Sequence, residues 1–152
     1  MYFEDMQIGR VTDLGSASFT RDSILAYARQ FDPRVLLRAD EGAPLAASGL
    51  HVASAAMRRL IETRAALRAA MEARGQAAPE LGVSPGFRDM RWPHLVLEGD
   101  VVSFSMEIVS KRETSKPNWG LVVNSLRGIN QRGESVLSFS GAVLAMRRTA
   151  EK

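Results

Sequence analysis

The chain contains no cysteine, which excludes disulfides and thiolate metal sites. It has only two histidines, His51 and His94, far apart in sequence, so a zinc site is not expected either. No apolar run approaches membrane-spanning length. The first residues, Met1-Tyr2-Phe3-Glu4-Asp5, are acidic rather than basic, unlike a secretory leader, and point to a cytoplasmic location without membrane attachment. There is no internal repeat and no low-complexity linker. What is present is ordinary for a globular protein: 152 residues, 45% hydrophobic and 24% charged, enough for one domain with a real core.

Net charge is +3, from 20 basic and 17 acidic residues, a balance that suits a phosphate-bearing ligand without demanding nucleic acid. Arg58, Arg59, Arg64, Arg68 and Arg74 cluster on one segment, with Glu62 and Glu72 four residues after Arg58 and Arg68. That spacing describes a solvated, ion-paired helix face. No aromatic residues interleave with these arginines, so no nucleic-acid partner is expected.

Periodicity gives the elements. Thr20 reads as an N-cap, followed by Ile24, Tyr27, Ala28 and Phe31 at helical spacing. Asp32-Pro33 stops that helix, because a residue before proline avoids the α region. Arg34 to Ala47 reads as a loop. A second helix starts near Ser48 or Gly49 and runs to about Arg74, with Ala53, Met57, Leu60 and Ile61 as its apolar stripe and Val52 and Ala56 extending it. Gln76 to Gly86 is a connector. The period then changes to two, giving a short strand over Arg88–Trp92 and longer ones over Val102–Ile108, Trp119–Ile129 and Val136–Met146. Gly128 marks a possible bulge, and Asn130-Gln131-Arg132-Gly133 a hairpin loop. The class is α+β: a short helix, a loop, a long helix, then an antiparallel meander.

The stretch Ala47-Ser48-Gly49-Leu50-His51, after Phe31-Asp32-Pro33, carries the chemistry. It places a carboxylate, a helix N-terminus and an imidazole within one short span. Free N–H groups at a helix start can hold a developing oxyanion, and the carboxylate and imidazole can move protons. The same residues also fit a plainer role, with Ser48 capping a core helix, Asp32 ending the preceding one and His51 bonding the loop.

Taken in order, several segments resemble the MaoC-like acyl dehydratases, which include the (R)-specific enoyl-CoA hydratases. They are Tyr2-Phe3-Glu4-Asp5-Met6 with Ile8-Gly9, Phe19-Thr20 through Asp32-Pro33, and Ala47 to His51. Ser84-Pro85-Gly86 to Trp92, Leu97-Glu98-Gly99-Asp100 and Asn130 to Glu134 complete the series. The resemblance covers nearly the whole chain. It implies a single hot-dog domain over 1–152, an antiparallel sheet wrapped around a long central helix. It also implies a homodimer or higher homo-oligomer that closes exposed edges, with the cleft at the subunit boundary.

For the site, the resemblance implies catalytic roles for Asp32, which would orient and deprotonate water, and for His51. It implies substrate-binding roles for Gly49, whose N–H would receive a thioester carbonyl, and for Ser48. Val52 and Met57 would floor an acyl tunnel. The substrate would be a thioester of coenzyme A or of acyl carrier protein, with no separate cofactor and no metal. The chain departs from the pattern at Leu37, where the family's catalytic histidine would stand five residues after the aspartate. No histidine lies between Asp32 and Leu50, and the loop is shorter than usual. His94 follows Pro93 and reads as exposed. Three functions stay open: a hydratase or dehydratase with a rebuilt site, a noncatalytic acyl-thioester-binding module, and an acyl-CoA thioesterase.

Overall fold

A computed structural model describes residues 1–148, so the end of the expected 1–152 domain lies outside the described residues. After a 3₁₀ turn at Phe3–Asp5 come strand β1 (Val11–Ser18), helix α1 (Arg21–Phe31) and a second 3₁₀ segment at Pro33–Arg38. Helix α2 (Gly49–Glu72) follows, then β2 (Gly86–Arg91), β3 (Val101–Glu113), β4 (Trp119–Asn130) and β5 (Ser135–Met146). All strand pairs are antiparallel, in the order β1-β3-β4-β5-β2. The long helix and the meander match the expected class.

α2 buries Val52, Ala56 and Leu60, one residue every fourth, and these join Phe104, Leu126 and Leu137 in the main core. The buried helix face is therefore narrower than the sequence stripe suggests. Met57 and Ile61 are exposed, and Ala56 is fully buried. A second cluster, Phe3, Met6, Ile108, Val122, Val143 and Ala145, fills the space beneath the N-terminal turn. The ion-paired face is present: Arg58 and Arg68 bond Glu62 and Glu72 at 2.8 Å, and Arg59 adds a third bridge to Glu62. These exposed pairs contribute little to stability, because solvent screens them.

Two elements differ from the sequence reading. β1 was not expected, because only Leu14 of its eight residues is buried and Gly15, at φ 79°, interrupts its register with β3. The expected loop after Asp32 contains the 3₁₀ segment, begun by Pro33 with its preset φ. The hairpin after β4 forms as read, with Gly133 at φ 80° and its N–H donating to Asn130 O at 3.0 Å. The β4–β5 register shifts at Gly128/Ile129.

That hairpin closes onto Asp100, which is buried. Its Oδ1 accepts from Arg132 Nη1 at 2.7 Å and Gln131 Nε2 at 2.8 Å. Its Oδ2 accepts from Arg132 Nη2 at 3.0 Å and the Leu97 N–H at 2.9 Å. Arg132 above all holds the Asp100 carboxyl down to about 2.

Candidate active site at the start of the long helix

The chain reaches α2 through a short pairing. The Ala47 N–H donates to Val96 O at 2.8 Å, and the Glu98 N–H donates to Leu45 O at 2.7 Å. Arg21 clamps Glu98 at 2.9 Å and so fixes α1 to the same corner. These bonds tie the start of α1 and the segment leading into α2 to one corner.

Ser48 is the N-cap residue, but its side chain does not cap the helix. Its hydroxyl instead helps hold the Asp32 carboxyl below the ordinary carboxylate range, an effect led by Arg34. Arg34 grips Asp32 through Nε at 2.9 Å and Nη2 at 3.2 Å. The structure therefore gathers Asp32, Ser48 and the uncapped N-terminus of α2. A carboxylate held ionised beside free backbone donors can orient water while those donors receive an oxyanion.

Gly49 has a steric reason to be glycine. A Cβ there would stand 2.7 Å from Trp92 Cε2. The indole, carried just past the end of β2, walls the helix start. Sequence reading noted Trp92 as a strand end and missed this role, since the contact spans many residues.

His51 lies in the first turn of α2 with its ring stacked on Tyr27, centroids 4.6 Å apart and planes within 6°. Phe19 meets it edge-on at 5.1 Å. Burial lowers its pKa, keeping the ring neutral. Its Nδ1 is buried with no hydrogen-bond partner among the described residues. Asp32 and His51 are not joined by a hydrogen bond in this arrangement.

Leu37, at the place of the family's histidine, is 80% exposed on the 3₁₀ segment. His94 is exposed, with Nδ1 3.0 Å from Ser135 O. Val52 is sealed in the core, whereas Met57 lines a cleft of about 220 Å³ between α2 and the sheet, with Phe87, Met106 and Phe139.

No family model matches the chain. A mesaconyl-CoA hydratase of Cereibacter sphaeroides is 30% identical over 78 residues, which is 49% of this chain and 23% of that relative. The matched stretch is thus about a quarter of the relative's length. Among solved structures, the MaoC-like dehydratase of Rhodospirillum rubrum superposes with a TM-score of 0.76 at 24% identity, covering 99% of both chains. The unliganded R-hydratase of Pseudomonas aeruginosa gives 0.62 at 17%, covering 99% of this chain and 92% of its own. A double hot-dog protein of Mycobacterium tuberculosis gives 0.72 at 20%, covering 100% of this chain and 46% of its own.

The fold is therefore the hot-dog fold. Its structural neighbours are MaoC-like dehydratases and (R)-hydratases, the group that the residues resemble. Among the described residues no helix is long and apolar enough to cross a membrane.

Proposed function

We propose that the protein is a hydratase or dehydratase of acyl thioesters, working at the start of α2. The observation that carries this is an ionised Asp32 next to Ser48, the residue at the uncapped start of α2. In the hydration direction Asp32 accepts a proton from water, and the water oxygen bonds to Cβ of an enoyl thioester. The electron pair of the double bond moves onto the thioester oxygen, which the Gly49 N–H holds. Asp32 then delivers the proton to Cα as the carbonyl re-forms. His51, neutral and with an unpaired nitrogen, takes the assisting role in this reading; Ser48 orients Asp32, and Met57 lines the path of the acyl chain. No separate cofactor enters this reaction, because coenzyme A or acyl carrier protein arrives as part of the substrate.

Phe31, Leu37, Leu50 and Leu95 leave apolar surface exposed around α2's first turn and neighbouring loops. Their cover is a second copy, so the working unit is a homodimer. A monomer in light scattering at micromolar concentration contradicts that part of the reading.

The test is turnover of crotonyl-CoA and longer enoyl-CoAs. Hydration by the wild type, abolished in Asp32→Asn, supports the reading. The exposed Leu37 and the missing Asp32–His51 bond favour a second reading, a module that binds acyl thioesters without turnover. Calorimetric binding with no hydration selects that module, and release of free coenzyme A selects a thioesterase. No binding to any acyl thioester removes all three.

A further inference from the structure

Arg64 stands apart from its neighbours on α2. Arg58, Arg59 and Arg68 each bond a glutamate, but Arg64 has no ion pair or hydrogen bond among the described residues. Burial is what weighs on its charge, and the guanidinium does not give up its proton in compensation. Arg64 lies where two clefts between α2 and the sheet meet, and both also share Leu60, Met106, Asn124 and Val143.

Asn124 is the second unusual group. β4 turns alternate residues inward, and Asn124 falls between Val122 and Leu126 on that buried face. It is 7% exposed, lines both clefts, and its amide has no hydrogen bond among the described residues. Its polar atoms open to the clefts rather than being sealed in the core, so they are free to meet a ligand. The lining of the two clefts includes Arg10 and Arg68 as well, but neither aspartate nor glutamate. The clefts are otherwise mainly apolar, so they ask for a ligand with a hydrocarbon body and an anionic group.

We propose that this cleft takes an acyl chain whose far end carries a carboxylate, received by the Arg64 guanidinium and the Asn124 amide. Arginine's planar fork matches a carboxylate, and the Asn124 NH₂ supplies another donor. The inference rests on the acyl-thioester reading above and narrows it to one substrate class. Gly49 to Arg64 is about 22 Å along the helix at 1.5 Å per residue, so a long chain reaches where a short one does not.

The experiment compares binding of hexadecanedioyl-CoA with palmitoyl-CoA, and of suberyl-CoA with octanoyl-CoA, in wild type and Arg64→Met. Free palmitate serves as a probe of the cleft without a thioester, and thermal melting checks that the variant is folded. The expected result is that wild type binds hexadecanedioyl-CoA about tenfold or more tighter than palmitoyl-CoA. Arg64→Met abolishes that preference while leaving palmitoyl-CoA binding within about twofold. Suberyl-CoA shows no such preference, because its carboxylate falls short. Equal binding of the two long thioesters, or a preference that survives Arg64→Met, overturns the inference. If no thioester binds but palmitate does so in an Arg64-dependent way, the carboxylate site stands and the thioester reading falls. If neither binds, both fall.

Discussion

Asp100 and Asp32 are each gripped by an arginine, and they differ in nearly everything else. Asp100 is buried between β3 and the last hairpin and accepts from four donors, two of them on Arg132. Asp32 sits at the end of α1, and its guanidinium partner is Arg34, two residues on, which is 86% exposed. The first arrangement saturates the carboxylate and leaves no room for a reactant. The second keeps it ionised through a partner that water can replace, beside a helix end whose donors no side chain caps. A saturated acid holds a fold; an acid whose partner can be displaced is free to act on a ligand.

The sharpest way to break that contrast is to neutralise each acid in turn. Asp32→Asn should lower hydration by a hundredfold or more, the usual scale for a general base, with the melting temperature unchanged. Asp100→Asn should do the reverse. It leaves Arg132 without its main anion and costs about 2–3 kcal/mol, a loss of roughly 5–10 °C in melting temperature. Turnover measured below the new melting point should survive. Loss of stability in Asp32→Asn, or loss of turnover alone in Asp100→Asn, would exchange the roles assigned here.

Acid should erode what Asp100 contributes. Its folded-state value of about 2 lies below that of an unfolded aspartate, near 3.9, so the folded state binds fewer protons in between. The contribution, about 2 kcal/mol, is fully present above pH 4 and is lost as pH falls toward 2. Urea melts across that window should show the decline in wild type and a shallower one in Asp100→Asn.

A third perturbation concerns the wall of the candidate site. Gly49→Ala drives a methyl group into Trp92 and should cost about 1–3 kcal/mol. Trp92→Leu in the same chain should recover much of it. Full stability of the single variant, seen by thermal melting, would show that the indole yields freely.

What the sequence disclosed about these regions follows from distance along the chain. Asp32, Ser48, Gly49 and His51 were legible together because one helix end, one proline and one helix start bring them near. Four of the five strands are legible too, β4 only as an irregular one, while β1 hides behind a polar, glycine-broken sequence. Asp100 and Arg132 appeared only as parts of separate segments, since the bond between them depends on how β4 and β5 turn. The apolar stripe of α2 contains the buried Val52, Ala56 and Leu60 but is too broad, because Met57 and Ile61 are equally apolar and periodicity does not distinguish a core face from a cleft wall. Asn124 did carry a signal, a polar residue in the inward register of β4, but that strand looked too irregular for its register to be trusted.

The smallest expected effect tests the displaceable partner itself. Arg34 is the leading cause of the depressed Asp32 value, so Arg34→Ala should let that carboxyl rise toward its ordinary range. Asp32 acts as a base only when ionised, and the acid limb of kcat/KM follows its folded-state value. The limb should therefore move to higher pH in Arg34→Ala, with little change in rate near neutrality, where the carboxylate is ionised in both proteins. High salt should shift the wild-type limb the same way, because the exposed pair is screened. The Asp100 network, being buried, should not respond to that salt, which melting in acid at low and high ionic strength would check. An acid limb that ignores both Arg34→Ala and salt would mean that Asp32 does not set the pH dependence, and the contrast between the two acids would then be one of burial alone.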